Sequence, residues 1–117
     1  SYSTSLSPSA STLTINIAGA NTLLGTPTSN AITTWAFTGV GLTNGQSKTL
    51  TLVLDANTAA TYGDACTVDG VAISTGVQWS GGSPPVATSN TDILTFVLIR
   101  DNSGVTKVFG QGNTDFS

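Results

Sequence analysis

Apolar and polar residues alternate along several stretches of the chain, and each alternating stretch predicts a strand with one buried face. In "TLTINIAG" Leu13, Ile15 and Ile17 share one face, and Thr12, Thr14 and Asn16 share the other. "AITTWAFTGV" sets Trp35 and Phe37 on one side, and "KTLTLVLDA" points Leu50, Leu52 and Leu54 inward. Asn44-Gly45 between these two is a strong turn signal, so residues 31–55 read as an antiparallel hairpin. "CTVDGVAIS" reads as a short hairpin turning at Asp69-Gly70, and "GVQW" as a short strand. "DILTFVLIR" is apolar on both faces, with Ile93, Val97 and Ile99 on one and Leu94, Phe96 and Leu98 on the other. A strand covered on both faces is central in its domain or lies at an interface. Residues 101–104, "DNSG", form a tight turn, and "VTKVFGQ" pairs back on the strand before it.

No segment sustains a helical period. Short strands separated by regular turn signals predict an all-β fold, a single antiparallel, jelly-roll-like β-sandwich over residues 13–117. Residues 1–12, "SYSTSLSPSAST", carry no sustained apolar period and read as a flexible arm or linker remnant. The alternative is an arm that orders on a neighbouring subunit, anchored by Tyr2, Leu6 and Pro8.

Composition strengthens this reading and removes several functions. The 117 residues suit one domain. Only 8% are charged, against about 25% in an average domain. Ser and β-branched Thr together fill about 30% of positions, which favours pleated surface. Three cations against six Asp cannot build a phosphate-tracking surface, so nucleic acid is not an expected partner. Nor is an anionic membrane, and no apolar run is long enough to span a bilayer. No signal-peptide pattern opens the sequence. Cys66, the single cysteine, reads as a small buried hydrophobe, and a lone thiol fits folding in a reducing cytoplasm.

Candidate chemistry is thin. Without His or Glu, the usual general bases and a Ser-His-Asp or Cys-His arrangement are absent, so no enzyme is expected. A carboxylate pair would have to be Asp64 and Asp69, which turn geometry explains as well. Asp55, Asn57 and Asp64 could offer oxygens to a cation, but their spacing departs from the EF-hand loop, so no metal or other cofactor is expected. "GVGLTNG", with Gly39, Gly41 and Gly45, lacks the basic partner and helix start of a phosphate cradle and reads as a turn. A carbohydrate platform could be built on Trp79 with Gln78, or on Tyr62; the opposing reading makes Trp35 and Trp79 core residues.

"VQWSGGSPPV" decides between a ligand loop and a structural corner. Gly81 and Gly82 suit a tight turn, Pro84 and Pro85 stiffen its exit, and Trp79 has apolar neighbours, so it reads as a corner. Together with "GQSKTLTLVLD", the stretch from "VQWSGGSPPV" to the closing "GNTDFS" resembles a C-terminal module of virion proteins of tailed bacteriophages. Those proteins include tail-fibre-like proteins and virion proteins of cyanophages. The matching residues are Trp79, Gly81, Gly82, Pro85, Asp92, Ile93, Leu94 and Phe96, within about residues 45–117; Pro84 departs from the pattern. The resemblance implies a non-enzymatic structural protein on the surface of a phage particle, made in the host cytoplasm. It implies a homotrimer, either a capsid decoration (cement) protein or a fibre or tail module, contacting itself and other capsid or tail subunits. Tyr2, Leu6, Ile93, Val97 and Ile99 are the candidate interface residues. The competing readings are a module that binds a host surface glycan through Trp79 or Tyr62, and a pilin or adhesin subunit completed by a neighbour's donor segment.

Overall fold

The computed structural model describes residues 11–18, 22–25, 32–54, 62–88 and 90–116. The expected arm residues Tyr2, Leu6 and Pro8, and the loop residues Asp55 and Asn57, lie outside them. Among the described residues the chain forms nine strands and one 3₁₀ turn. The strands are β1 (Thr12–Asn16), β2 (Thr22–Gly25), β3 (Ile32–Thr38), β4 (Gln46–Leu54), β5 (Tyr62–Val68), β6 (Val71–Ala72), β7 (Val77–Trp79), β8 (Thr91–Arg100) and β9 (Thr106–Phe116); the 3₁₀ turn is Ser80–Gly82. They build a four-stranded sheet, β1-β3-β5-β6, packed on a five-stranded sheet, β2-β4-β8-β9-β7. The expected all-β sandwich is borne out.

The pairing corrects two finer expectations. The sandwich is mixed rather than wholly antiparallel and jelly-roll-like: β1 with β3, β3 with β5, β2 with β4, and β7 with β9 run parallel. The cause is the path of the chain. From β1 to β5 successive strands change sheets, so a strand returning to its sheet has reversed twice and points as its predecessor did. Residues 31–55 are accordingly not a hairpin, since β3 and β4 belong to different sheets. Their apolar faces meet across the core instead of their edges. Trp35 and Phe37 from β3 and Leu50, Leu52 and Leu54 from β4 are all buried. The connecting residues cross the end of the sandwich, where Val40 is buried and its N–H, with that of Gly41, donates to the Asp69 carboxylate at 3.1 and 2.9 Å. The Lys48 ammonium donates to the Val40 carbonyl.

Other elements match the sequence reading. β5 and β6 form the short hairpin turning at Asp69-Gly70. β8 and β9 pair antiparallel across residues 101–105, where the Asp101 carboxylate accepts the N–H groups of Ser103 and Val105, each at 2.9 Å. Those two bonds hold the Asp101 carboxyl below its usual range, the Val105 N–H contributing most.

The core is built around aromatic rings. Trp35 sits 5.1 Å from Phe96 and 6.2 Å from Trp79 between ring centroids, and Phe37 lies 5.1 Å from Phe96 in an edge-on arrangement. The Trp35 indole N–H donates to the Gly63 carbonyl at 2.9 Å, so its burial leaves that polar group satisfied. Gly110 makes room for this cluster: a Cβ there would lie 2.6 Å from Trp79 Cε3 and 2.8 Å from Val77 Cγ1. Gly110→Ala is therefore expected to destabilise the fold by about 1–3 kcal/mol through overpacking, measured by urea unfolding. An unchanged midpoint would show that the indole can shift.

Cys66 is buried between the sheets, and desolvation, with the nearby Asp64 charge, pushes its thiol up to about 11. The folded state thus disfavours the thiolate. The resulting stability is complete below the ordinary value of 9.0 and declines as pH rises toward 11. The native protein is expected to leave a disulfide-exchange reagent unreacted at mildly alkaline pH, with one thiol per chain titrating after denaturation. Rapid labelling of the native state would contradict this burial.

Candidate functional site

Two features stand out among the described residues, a tied corner at one end of the sandwich and an outer face of the five-stranded sheet that no other described strand covers. The corner runs from β7 through the 3₁₀ turn and the Pro84-Pro85 segment into β8. Gly81 and Gly82 both hold left-handed φ values, 82° and 86°, which a Cβ would strain. The chain then leaves extended, and Pro85 lies over β9, where a Cβ at Gly112 would come within 2.7 Å of Pro85 Cγ. Trp79 packs edge-on against Phe96, centroids 5.6 Å apart.

Asp92 closes the corner. It is fully buried, and its carboxylate accepts the Tyr62 hydroxyl at 2.6 Å, the Thr88 hydroxyl at 2.7 Å and the Thr88 N–H at 3.0 Å. One carboxylate thus fastens the end of the proline segment, the start of β8 and the first residue of β5 across the two sheets. Of the residues carrying the phage resemblance, Trp79 packs on Phe96, Gly81 and Gly82 make the turn that follows it, Pro85 lies against β9, and Asp92 ties the end of the segment to β5 through Thr88 and Tyr62.

The same burial removes the aromatic platform proposed for Trp79 and Tyr62. Trp79 is 7% exposed and Tyr62 2%. The Trp79 indole N–H is buried without a hydrogen-bond partner, and the Tyr62 hydroxyl is committed to Asp92. Neither ring presents a face to solvent. Asp64 and Asp69 likewise do not act together: Asp64 lies exposed in β5, while Asp69 sits in the turn with its carboxylate on the N–H groups of Val40 and Gly41. Those bonds, Gly41 first, hold the Asp69 carboxyl below its usual range. Among the described residues no helix is long and apolar enough to cross a membrane.

The outer face of the five-stranded sheet follows from its register. Its rows read Val53–Ile93–Asn113, Thr51–Thr95–Gln111, Thr49–Val97–Phe109–Gln78 and Ser47–Ile99–Lys107. The sequence-predicted interface residues Ile93, Val97 and Ile99 stand together on this face, half-buried, with Val53 beside them. Leu94, Phe96 and Leu98 point the other way into the core. Lys107 is the one charged residue in these rows, and none is acidic, although the chain carries a net charge of −3. The opposite outer face differs. It is built from Thr12, Thr14, Asn16, Thr34, Ala36, Thr38, Ala65 and Thr67, small and largely polar.

Toward the β7 edge, the apolar face opens into a cleft of about 330 Å³ lined by Gln78, Ser80, Thr95, Val97, Phe109 and Gln111, with Trp79 and Gly110 at its base. Phe109 is 38% exposed there. Sequence reasoning favours other aromatics and misses this one. A signal is present: in "KVFGQ" Phe109 alternates with Val108 and Gly110, so it shares parity with Lys107 and Gln111 on the wet face. A second cleft, about 390 Å³, lies between the β5–β6 hairpin and the 101–105 turn, walled by Leu42, Val71, Ile73 and Val105 with Asp69 and Arg100. The Arg100 guanidinium is fixed there by its Nε donating to Asn44 Oδ1 at 2.8 Å. Comparison of the chain with protein-family profiles, with curated proteins and with solved structures gives no match.

Proposed function

We propose that this chain is a non-enzymatic structural subunit of a bacteriophage particle, associating with copies of itself as a homotrimer. Its place would be that of a capsid decoration protein or a fibre or tail module. The observation that carries the reading is the half-buried apolar stripe of Val53, Ile93, Val97 and Ile99 on the outer face of β4 and β8, which no other described strand covers. A central strand that is apolar on both faces has its second face out of place in water.

The occupant that suits this face is a second copy of the chain. The acidic residues of a chain with net charge −3 are absent from its rows, and Lys107, in the row of Ile99, is the single charge there, so two copies can approach with little like-charge repulsion. The resemblance adds the virion setting; of its residues, Trp79 and Phe96 pack together and Asp92 ties down the segment between β7 and β8. The low charge content and Thr-rich strands suit a body packed closely among its own copies.

The test is the native mass of the full chain at micromolar concentration, by light scattering after size exclusion. A species near three times 11.8 kDa supports the reading and leads to binding on phage heads stripped of surface subunits. A monomer up to high micromolar concentration overturns the self-associating subunit.

A further inference from the structure

We infer that the cleft beside Phe109 is a binding site for an uncharged sugar. It borders the proposed self-contact along one wall. The stripe runs along β4 and β8, whereas the cleft lies toward the β7 edge, with Val97 as the shared wall.

Three features define the ligand chemistry. Phe109, with Val97 beside it, gives an exposed apolar floor, the surface on which the C–H face of a pyranose ring stacks. Gln78 stands directly across from Phe109, and Gln111 follows two residues along the same face. Neither amide has a hydrogen-bond partner among the described residues. Each offers two donors and an acceptor, as neighbouring hydroxyls require, and Thr95 adds a hydroxyl.

The third feature is charge. Among the described residues no ionisable side chain lines the cleft. An anion or cation would lose hydration there without finding a counter-charge. A wholly apolar ligand would cover the two amides and leave them unsatisfied. A neutral polyhydroxyl ring with one apolar face meets both conditions. The volume, about 330 Å³, is at the small end of ligand pockets and suits one or two rings. Phe109 and both glutamines sit on strands, so the site is held in place before binding.

The test is a titration of the full, ¹⁵N-labelled chain with methyl glucoside, methyl galactoside, methyl mannoside and N-acetylglucosamine, with native mass recorded on the same samples. The expected result is saturable shifts at residues 78, 95, 97 and 109–111 for at least one sugar, with Kd on the order of 1 mM. Phe109→Ala should weaken that binding at least tenfold, Gln78→Ala should also weaken it, and Val105→Ala, in the other cleft, should leave it unchanged. No saturable shift with any of the four sugars overturns the site, as does binding that Phe109→Ala and Gln78→Ala leave intact. A fall in native mass on Phe109→Ala without sugar binding would assign the cleft to a second copy instead. A trimer that binds no sugar defeats this inference alone. A monomer that binds sugar defeats the subunit reading alone.

Discussion

Replacing Asp92 with alanine is expected to lower stability by about 3 kcal/mol, the largest loss from any single polar side chain in the described fold. The carboxylate is fully buried and accepts three hydrogen bonds, from the Tyr62 hydroxyl and from the hydroxyl and N–H of Thr88. Alanine removes both acceptor oxygens, and with them these three hydrogen bonds, while the donors stay buried or half-buried, and it leaves a void where the carboxylate stood. For a domain of this size the loss corresponds to a drop in Tm of roughly 10–15 °C. Asp92→Asn keeps the shape and one acceptor oxygen, so it should fall between alanine and the native protein. Tyr62→Phe removes one donor and should cost about 1–2 kcal/mol. Thermal unfolding of the three variants by circular dichroism checks the order. A melting temperature for Asp92→Ala within a degree or two of the parent would mean that the corner is not held by this carboxylate.

The second large effect concerns assembly rather than folding. Ile93→Lys is expected to dissociate the proposed homotrimer while leaving the sandwich folded. Ile93 points outward in the row Val53–Ile93–Asn113, so in an isolated subunit a lysine there can extend into water. In a subunit whose stripe is covered by another copy, the ammonium would be buried without a partner. Weakening of association by 100-fold or more is expected, about 2.8 kcal/mol at least. Native mass against concentration reads the shift, and an unchanged far-ultraviolet spectrum shows that the fold persists. A variant that keeps its parent's trimeric mass at low micromolar concentration would move the self-contact off this face.

The outcome for residues 31–55 shows where local pattern stops being informative. Period-two alternation locates β1, β4 and β8 because each buries a single continuous apolar row toward the core. Alternation reports which side of a strand is dry. It carries no information on whether that side meets a neighbour's side or lies next to it in the same sheet. Asn44-Gly45 has the form of a hairpin turn between β3 and β4. In the fold it serves a distant partner: the Gly45 N–H donates to the Arg100 carbonyl at 2.7 Å, and Asn44 receives the Arg100 side chain. The corner is legible because paired glycines and paired prolines are strong punctuation and Trp79 has apolar neighbours. The role of Asp92 is legible only as a motif letter, since its partners lie 4 and 30 residues away. Phe109 is within reach of parity alone, and is hidden by the larger aromatics.

The alternating path of the first five strands also governs the order in which the molecule can form. From β1 to β4, no strand pairs with the one that follows it in sequence. Thr12 must find Thr34, and Leu52 must find Leu94, before either pairing yields a hydrogen bond. Closing such loops sacrifices chain entropy before any packing can offset the loss. β8 and β9, joined by the short Asp101 turn, escape this requirement and can zip from their own connection. A ladder of nine residue pairs is thus closed by a five-residue loop, and it offers β4 a template. The four-stranded sheet, made largely of parallel pairs between strands distant in sequence, is therefore expected to gain protection last in pulse-labelled hydrogen exchange during refolding.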